Sequence, residues 1–348
     1  MTAERVEIAI LGASGYTGAE LLRLLASHPR LRIGALTAER QAGKEPGEVF
    51  PHLASLALPR LVKIGEIDAT RFDGIFCCLP HGLTQAVIRE LPEGPRIVDL
   101  SADFRLRDPA LYERVYGKPH QARDLQEIAV YGLSELYRER IRETRLVANP
   151  GCYTTAAELP LAPLLRAGMI DPGRIVIDAK SGVSGAGREA RLGSLFAEVA
   201  EGIHPYGVAG HRHAPEIDQC LADFAGRPVT VSFTPHLMPM NRGILATIYV
   251  DLAAGAEASD LHAELARIYA DEPFVELLPF RAVPATRHVR GTNICRIGVH
   301  PDRMPGRAIL VSALDNLVKG ASGQAVQNMN IMLGLPETDG LEAIPLFP

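Results

Sequence analysis

The sequence predicts an α/β protein in two parts: a doubly wound parallel sheet over residues 1–150, then an α+β part over residues 151–315 with a mainly antiparallel sheet. Three observations point there. The chain's 348 residues are enough for two hydrophobic cores. Its first half alternates short β-rich apolar runs with helical patterns, the succession that builds a parallel sheet. Past residue 150 the β segments become longer and come in pairs.

Composition narrows the function classes. A formal net charge of −5 and a pI near 6.1 argue against nucleic acid or an anionic membrane as a partner. No apolar run reaches the length of a membrane span, and the first residues lack the basic-then-apolar layout of a signal peptide. Five cysteines at scattered spacings form neither a disulfide framework nor a zinc pattern, which suits a reducing compartment. The expectation is a cytoplasmic protein whose anion sites are local basic clusters.

Residues 6–11 have the apolar, β-branched content of a central strand. The turn Gly12-Ala13-Ser14-Gly15-Tyr16-Thr17-Gly18 follows at once, and then a helical pattern over residues 19–26. Strand, glycine turn and helix in that order make a dinucleotide site: the glycines let the backbone approach a pyrophosphate, and the helix N-terminus holds its charge. The spacing is G-x-x-G-x-x-G, not the commoner G-x-G-x-x-G. Residues 31–37 supply the second strand, ending at Thr37 ahead of Glu39, Arg40 and Lys44. Arg40 and Lys44, with the Thr37 hydroxyl, suit the 2′-phosphate of NADP; Glu39 argues for the ribose hydroxyls of NAD. Another buried strand over 74–79 leads into Pro80-His81-Gly82, at the strand end where open α/β sheets bind ligands. After the strand at 96–100, Asp103 and Arg105 form either a structural ion pair or, at Arg105, a clamp for phosphate or carboxylate.

Cys152 occupies a corner. Residues 145–148 read as a short buried strand, and Asn149-Pro150-Gly151-Cys152-Tyr153-Thr154-Thr155 turns it into an apolar helical pattern that Pro160 and Pro163 should shorten or kink. Close to a helix N-terminus a thiol ionises more readily and becomes a better nucleophile; the plain alternative is a cysteine that fills space. Gly210-His211-Arg212-His213-Ala214-Pro215-Glu216 offers the matching base. No third ligand makes His211 and His213 a metal pair, so no metal is expected. Either imidazole suits a thiolate nucleophile as acid/base, with Glu216 to orient it; His213 is the first choice and His211 the second.

The later segments read as strands at 174–179, 228–233, 243–252, 293–299 and 307–314, with residues 235–242 as a connection. Helices fit residues 259–270 and 316–333. Between the first two strands, the Gly/Ser-rich loop from Lys180 to Arg188 can wrap an anion or lie against a cofactor ring.

Taken together, these stretches resemble the N-acetyl-γ-glutamyl-phosphate reductases of arginine biosynthesis. The resemblance rests on the turn from Gly12 to Gly18, on Val49-Phe50-Pro51-His52-Leu53, on Cys78 to Gly82, on Asp99 to Arg105, and on Asn149 to Cys152. It continues through the loop from Lys180 to Arg188, through His211 to Glu216, and through the tail Gly334-Leu335-Pro336-Glu337-Thr338-Asp339-Gly340-Leu341. One departure is visible: the family usually follows its nucleophile with Tyr-Pro-Thr, whereas this chain has Tyr153-Thr154-Thr155, which should leave the corner less constrained.

The resemblance implies a fold like glyceraldehyde-3-phosphate dehydrogenase, with the C-terminal segment 316–348 packing back on an NADP-binding first domain. It implies NADPH-dependent reduction of an acyl phosphate to an aldehyde through a Cys152 thioester. Substrate would be held by Arg105, Asn149, Lys180 and Arg188. Asn316 would meet the nicotinamide amide, and Ser184 and Gly185 would line its ring. A homodimer or homotetramer is the family expectation. Rival readings are a reductase of carrier-protein-linked aminoadipyl phosphate in lysine biosynthesis, an aspartate-semialdehyde dehydrogenase, and an NADP-binding regulator without chemistry.

Overall fold

The apolar runs line up as two seven-stranded sheets, one in each of two units. Residues 5–347 are described in this computed structural model. One unit runs up to Pro150 and takes in Ala321–Glu342; the other holds Gly151–Gly320 and the residues from Ala343 on.

The first unit's strands are β1 (Val6–Leu11), β2 (Leu31–Thr37), β3 (Leu61–Val62), β4 (Gly74–Cys77), β5 (Arg96–Asp99), β6 (Val130–Tyr131) and β7 (Leu146–Ala148). All are parallel, in the order β3-β2-β1-β4-β5-β7-β6. Parallel strands need crossovers that cover both faces, so the central strands are apolar at their middles; Ile8, Ile10, Ile75, Phe76 and Val98 are fully buried. The crossovers carry α1 (Tyr16–Leu25), α2 (Pro46–Val49), α3 (Thr84–Glu90), α4 (Pro109–Tyr116), α5 (Arg123–Ile128) and α6 (Ser134–Glu143). Strand order reverses between β1 and β4, which opens a crevice at their C-terminal ends.

The second unit's sheet is mixed. Its strands are β8 (Ile170–Gly182), β9 (His204–Pro205), β10 (Ser232–Met238), β11 (Ile244–Leu252), β12 (Val275–Leu277), β13 (Cys295–Pro301) and β14 (Arg307–Leu314). The order is β12-β13-β14-β11-β8-β10-β9, with β12/β13 and β8/β10 parallel and the other four pairings antiparallel. β10 runs through Pro235, where the sequence suggested a connection. Proline is tolerated beside a sheet edge, and here only the two-residue β9 lies outside β10, with the Pro235 carbonyl accepting from the Tyr206 N–H at 3.0 Å.

Four helices belong to this unit: α7 (Cys152–Arg166), α8 (Phe196–Val199), α9 (Ala214–Ala225) and α10 (Ala258–Ile268). α7 packs on β8, β11 and β14 between α9 and α10, which buries every residue from Tyr153 to Leu165. The two prolines do not end it. Pro163 has no N–H for the Leu159 carbonyl one turn back, and the Tyr269 hydroxyl donates to that oxygen instead, at 2.5 Å.

The last helix, α11 (Gly323–Met332), returns to the first unit and packs on α1, α6 and β5. It is shorter than the residue 316–333 pattern, because the chain up to Gly320 stays with the second unit. α11 is buried all round, and its amide N–H groups find acceptors there, although the Gln324 Oε1 accepts no hydrogen bond among the described residues. Gln324 Nε2 donates to Gly132 O at 3.1 Å and Ser134 Oγ at 2.6 Å; Asn328 Nδ2 donates to Gly132 O at 2.7 Å. The tail is clasped in turn: Glu337 pairs with Arg138, Asp339 with Arg30, and Asn330 Nδ2 donates to both their backbone carbonyls.

Tyr269→Phe keeps the ring and removes the donor, leaving the Leu159 carbonyl buried and unsatisfied. We expect a loss of about 1–3 kcal/mol, read as a lower thermal midpoint; an unchanged midpoint would mean that α7 accommodates Pro163 without this bond.

Candidate active site

β7 ends at Ala148, and four residues later α7 begins on Cys152 with Gly151 as its N-cap. The helix has no side-chain cap of its own and no acidic residue in its first turn. α9 supplies one. Glu216, 1% exposed, sits in the first turn of α9, and its Oε1 accepts from the Gly151 N–H at 2.7 Å and from the Thr154 hydroxyl at 3.1 Å. Thr154 Oγ1 also lies 2.6 Å from the Gly151 carbonyl. Thr154 therefore ties the corner that a lost proline was expected to loosen, because a threonine in the first turn can reach back to the cap with its hydroxyl.

Two glycines make room around Cys152. A Cβ on Gly151 would lie 2.7 Å from Cε1 and Nε2 of His213, so that imidazole rests on the backbone one residue before the thiol. A Cβ on Gly320 would lie 2.8 Å from the Cys152 Cβ. Gly320 belongs to a single π-helical turn, Val318–Ser322, of the kind often found at functional sites. Cys152 is partly exposed in this packing, whereas Cys77, Cys220 and Cys295 are buried.

His211 and His213 lie close together, ring centroids 4.7 Å apart, and Tyr153 contacts both. Their environments differ. Burial holds the His211 imidazole down at about 4, with the Arg212 guanidinium adding to the effect, and its Nδ1 accepts from the His213 N–H at 3.1 Å. Tyr206 stacks edge-on against His211 and shares a 2.9 Å hydrogen bond with the Tyr153 hydroxyl. Among the described residues no group of three or more His, Cys, Asp or Glu could hold a metal ion.

In the first unit the glycine turn has the shape of a phosphate cradle. Gly12 has φ +82°, and a Cβ there would lie 2.7 Å from the Cys78 carbonyl; one on Gly18 would lie 2.4 Å from the Ala13 carbonyl. Gly15 faces open space instead and caps α1, whose first turn carries no acidic residue. N–H groups of a first turn lack intrahelical partners, so the opening suits a pyrophosphate. Ser14, Tyr16 and Thr17 border it, and Pro80 is exposed beyond the end of β4. Thr37 does not reach outward: it is buried, and its hydroxyl accepts from the Gly12 N–H at 3.2 Å. Glu39 is turned to the Ile64 N–H at 3.1 Å, while Arg40 and Lys44 are exposed.

Residues 7–144 match the NAD binding domain of semialdehyde dehydrogenases, and residues 152–316 match their dimerisation domain. The N-acetyl-gamma-glutamyl-phosphate reductase of Rhodospirillum rubrum is 61% identical over 350 residues, covering 99% of both chains. The chain belongs to the N-acetyl-gamma-glutamyl-phosphate reductase family. A probable chloroplastic reductase of Arabidopsis thaliana is 59% identical over 343 residues, 99% of this chain and 86% of its own. In fold, this reductase family member is similar to aspartate semialdehyde dehydrogenase II of Vibrio cholerae, with a TM-score of 0.72 at 19% identity over 95% of this chain and 99% of that one. It is also similar to the NADP-bound aspartate semialdehyde dehydrogenase of Candida albicans, with a TM-score of 0.67 at 18% identity over 94% and 98% of the two chains. Its first unit holds the match to a pyridine-nucleotide-binding domain.

Several residues expected at the reductase site also hold bonds within the fold. Asn149 is 1% exposed; its Nδ2 donates to Ala321 O in the turn before α11 at 3.0 Å, and its Oδ1 accepts from Asn328 of α11 at 3.1 Å. Asn316 is similarly engaged: Oδ1 accepts from the Gly243 N–H at 2.7 Å and Nδ2 donates to Ser184 Oγ at 2.9 Å. It ties the loop of Ser184 and Gly185 to the backbone of Gly243. Lys180 alternates with the buried Ile177, Ala179 and Ser181, so it projects from the other face of β8, where it pairs with Asp178 at 2.8 Å. Arg105 lies in the first unit, 8% exposed, with Nη2 donating to the Leu100 carbonyl. Asp103 beside it accepts from the Gly82 and Thr84 N–H groups and from the Tyr112 hydroxyl, and so shapes the turn after β4. Arg188 is exposed at the end of its loop.

Sequence reasoning missed Thr154, Gly320 and Tyr206. Gly320→Ala is expected to displace Cys152 and lower reductase turnover about 100-fold, since small misplacements of a reacting group are costly. Gly65→Ala, at a glycine with open space around it, should leave turnover unchanged. Equal activity in both would show that the Gly320 contact does not set the thiol's position.

Proposed function

We propose that this chain reduces N-acetyl-γ-glutamyl phosphate to N-acetylglutamate 5-semialdehyde and inorganic phosphate, the reductase step of arginine biosynthesis, with Cys152 as nucleophile and NADPH as cofactor. The observation that carries the reading is Cys152 at the head of α7 with His213 resting on the adjoining Gly151. A helix N-terminus favours negative charge, and an imidazole one residue away can take the thiol proton.

The Cys152 sulfur attacks the acyl carbon, the C–O bond to phosphate breaks, and a thioester remains on the enzyme. NADPH, when bound, supplies the hydride that brings the thioester to the aldehyde level. His213 holds the thiol proton during attack and stabilises the oxygen that carries negative charge before the C–S bond breaks. The N–H groups at the head of α7 support that same oxygen. His211 is the second choice, because an imidazole held near 4 is neutral at working pH and its Nδ1 already accepts the His213 N–H.

The cradle from Gly12 to Gly18, with Ser14, Gly15, Tyr16 and Thr17, holds the cofactor's pyrophosphate. Arg40 and Lys44 take the 2′-phosphate, a preference for NADP supported by the engagement of Glu39 elsewhere. Arg105 and Arg188 remain the candidates for the substrate's anionic groups. We place the enzyme in the cytoplasm as a homodimer or homotetramer joined through its second unit, the region that matches a dimerisation domain.

Running the reaction backwards tests the reading. N-acetylglutamate semialdehyde, NADP⁺ and phosphate should give reduced cofactor by absorbance, and Cys152→Ala should abolish it. Omission of phosphate should stop turnover, and NAD⁺ should serve poorly until Arg40→Ala narrows the gap. His213→Asn should lower kcat by about 100-fold or more, and His211→Asn by less. The acidic limb of the pH profile should survive in His211→Asn, since that ring titrates near 4. Loss of that limb in His211→Asn would exchange the two roles; a full rate in Cys152→Ala would sink the mechanism.

A further inference from the structure

Thr154 takes no part in the reaction above, yet its hydroxyl sits buried at the centre of the corner. Three bonds close a ring there. The Gly151 N–H donates to Glu216 Oε1 at 2.7 Å, the Thr154 hydroxyl lies 3.1 Å from that oxygen, and the same hydroxyl lies 2.6 Å from the Gly151 carbonyl. Gly151 is thereby gripped at both its N–H and its C=O immediately before Cys152. A single hydroxyl proton serves both acceptors, so the ring stays closed only with carboxylate and carbonyl in register. Threonine is a poor helix former, and first-turn N–H groups have no intrahelical partner, so helix formation alone does not favour it at this position.

We propose that Thr154 is a positioning residue for Cys152, acting through Glu216 and the Gly151 peptide to fix the nucleophile at the head of α7. The proposal rests on Cys152 being the nucleophile. Valine at 154 keeps the shape of threonine but leaves the Glu216 carboxylate with one donor fewer, free to turn from the Gly151 N–H. Serine keeps the donor.

Alkylation of Cys152 by iodoacetamide at pH 7 tests this on the whole chain without substrate or cofactor, with the labelled peptide identified by mass. Cys152→Ala gives the background from Cys78, the other partly exposed thiol. Thr154→Val should react about fivefold more slowly than the natural chain, and Thr154→Ser within about twofold of it. In a Glu216→Gln background, Thr154→Val should change the rate by less than about twofold, because the charged acceptor is gone. Thermal midpoints, taken in parallel, separate a general loss of structure from a loss at the thiol. A natural rate in Thr154→Val, an equal loss in both backgrounds, or no recovery in Thr154→Ser would each overturn the proposal. If Cys152 of the natural chain itself reacts no faster than the Cys152→Ala background, the nucleophile reading fails first, and visibly so.

Discussion

Neither glycine beside the nucleophile has room for a methyl group, and this crowding is the constraint on which the second unit depends. His213 closes on Gly151 from the N-cap position of α9, and the π turn closes on Cys152 through Gly320. Protein interiors packed to this density do not deform smoothly, so each contact limits where the thiol can go. The wider architecture supplies the supports. α7 is buried along its length against β8, β11 and β14, and the Gly320 N–H donates to the Asp315 carbonyl at 2.9 Å. Asp315 is itself fully buried and accepts from the N–H groups of Gly291 and Leu317. The thiol is thus placed by backbone whose own hydrogen bonds are accounted for, and that leaves the site little slack.

In the first unit a different device meets the chain on its way to the same corner. Asn149 ends the run from β7, and its amide joins Asn328, which accepts in turn from Ser134. Buried amides rigidify a structure through the partners they find, and Gln324, Gln327, Asn328 and Asn330 each donate from a buried position on this helix. The clasped tail supports it from the other side: Glu337 accepts from Gln327 as well as Arg138, and Asn330 also meets the buried His28 at 3.1 Å. The tail motif that the sequence displays but no reaction step uses therefore serves the helix that anchors Asn149.

The legible parts of the sequence were those governed by local rules. β1, β2 and β14 begin and end where apolar, β-rich content places them, and Cys152 stands at the strand-to-helix corner that the Asn-Pro-Gly turn marks, although the helix starts four residues before the apolar run at Ala156. Parity could also have placed Lys180: apolar residues at 175, 177 and 179 assign the side of β8 away from α7 to Asp178 and Lys180. What stayed hidden depends on distant partners. α7 survives Pro163 because a tyrosine 110 residues away supplies the missing donor. Asn149 and Asn316 carry groups that suit a ligand, and only the folded chain shows each amide engaged at both ends. Gly320 gives no local sign at all, since the residue it makes room for lies in another element.

The two histidines show how one buried ring can serve another. His211 is packed among Tyr153, Tyr206 and Phe233, and that burial is what holds it neutral. A neutral imidazole that accepts on Nδ1 carries its proton on Nε2, so the bond from the His213 N–H fixes the tautomer of His211. The same bond fixes the backbone of His213, whose ring rests on Gly151. Protonating His211 would turn its Nδ1 from acceptor to donor and set it against that N–H. The sign follows: the folded state binds this proton less readily than the unfolded chain, so the stability it contributes is present above about 6.5 and falls as the pH drops towards 4. The apolar surroundings of His211 and the position of His213 are in this sense one requirement: the first ring must stay uncharged for the second to stay where a proton can be exchanged with the thiol.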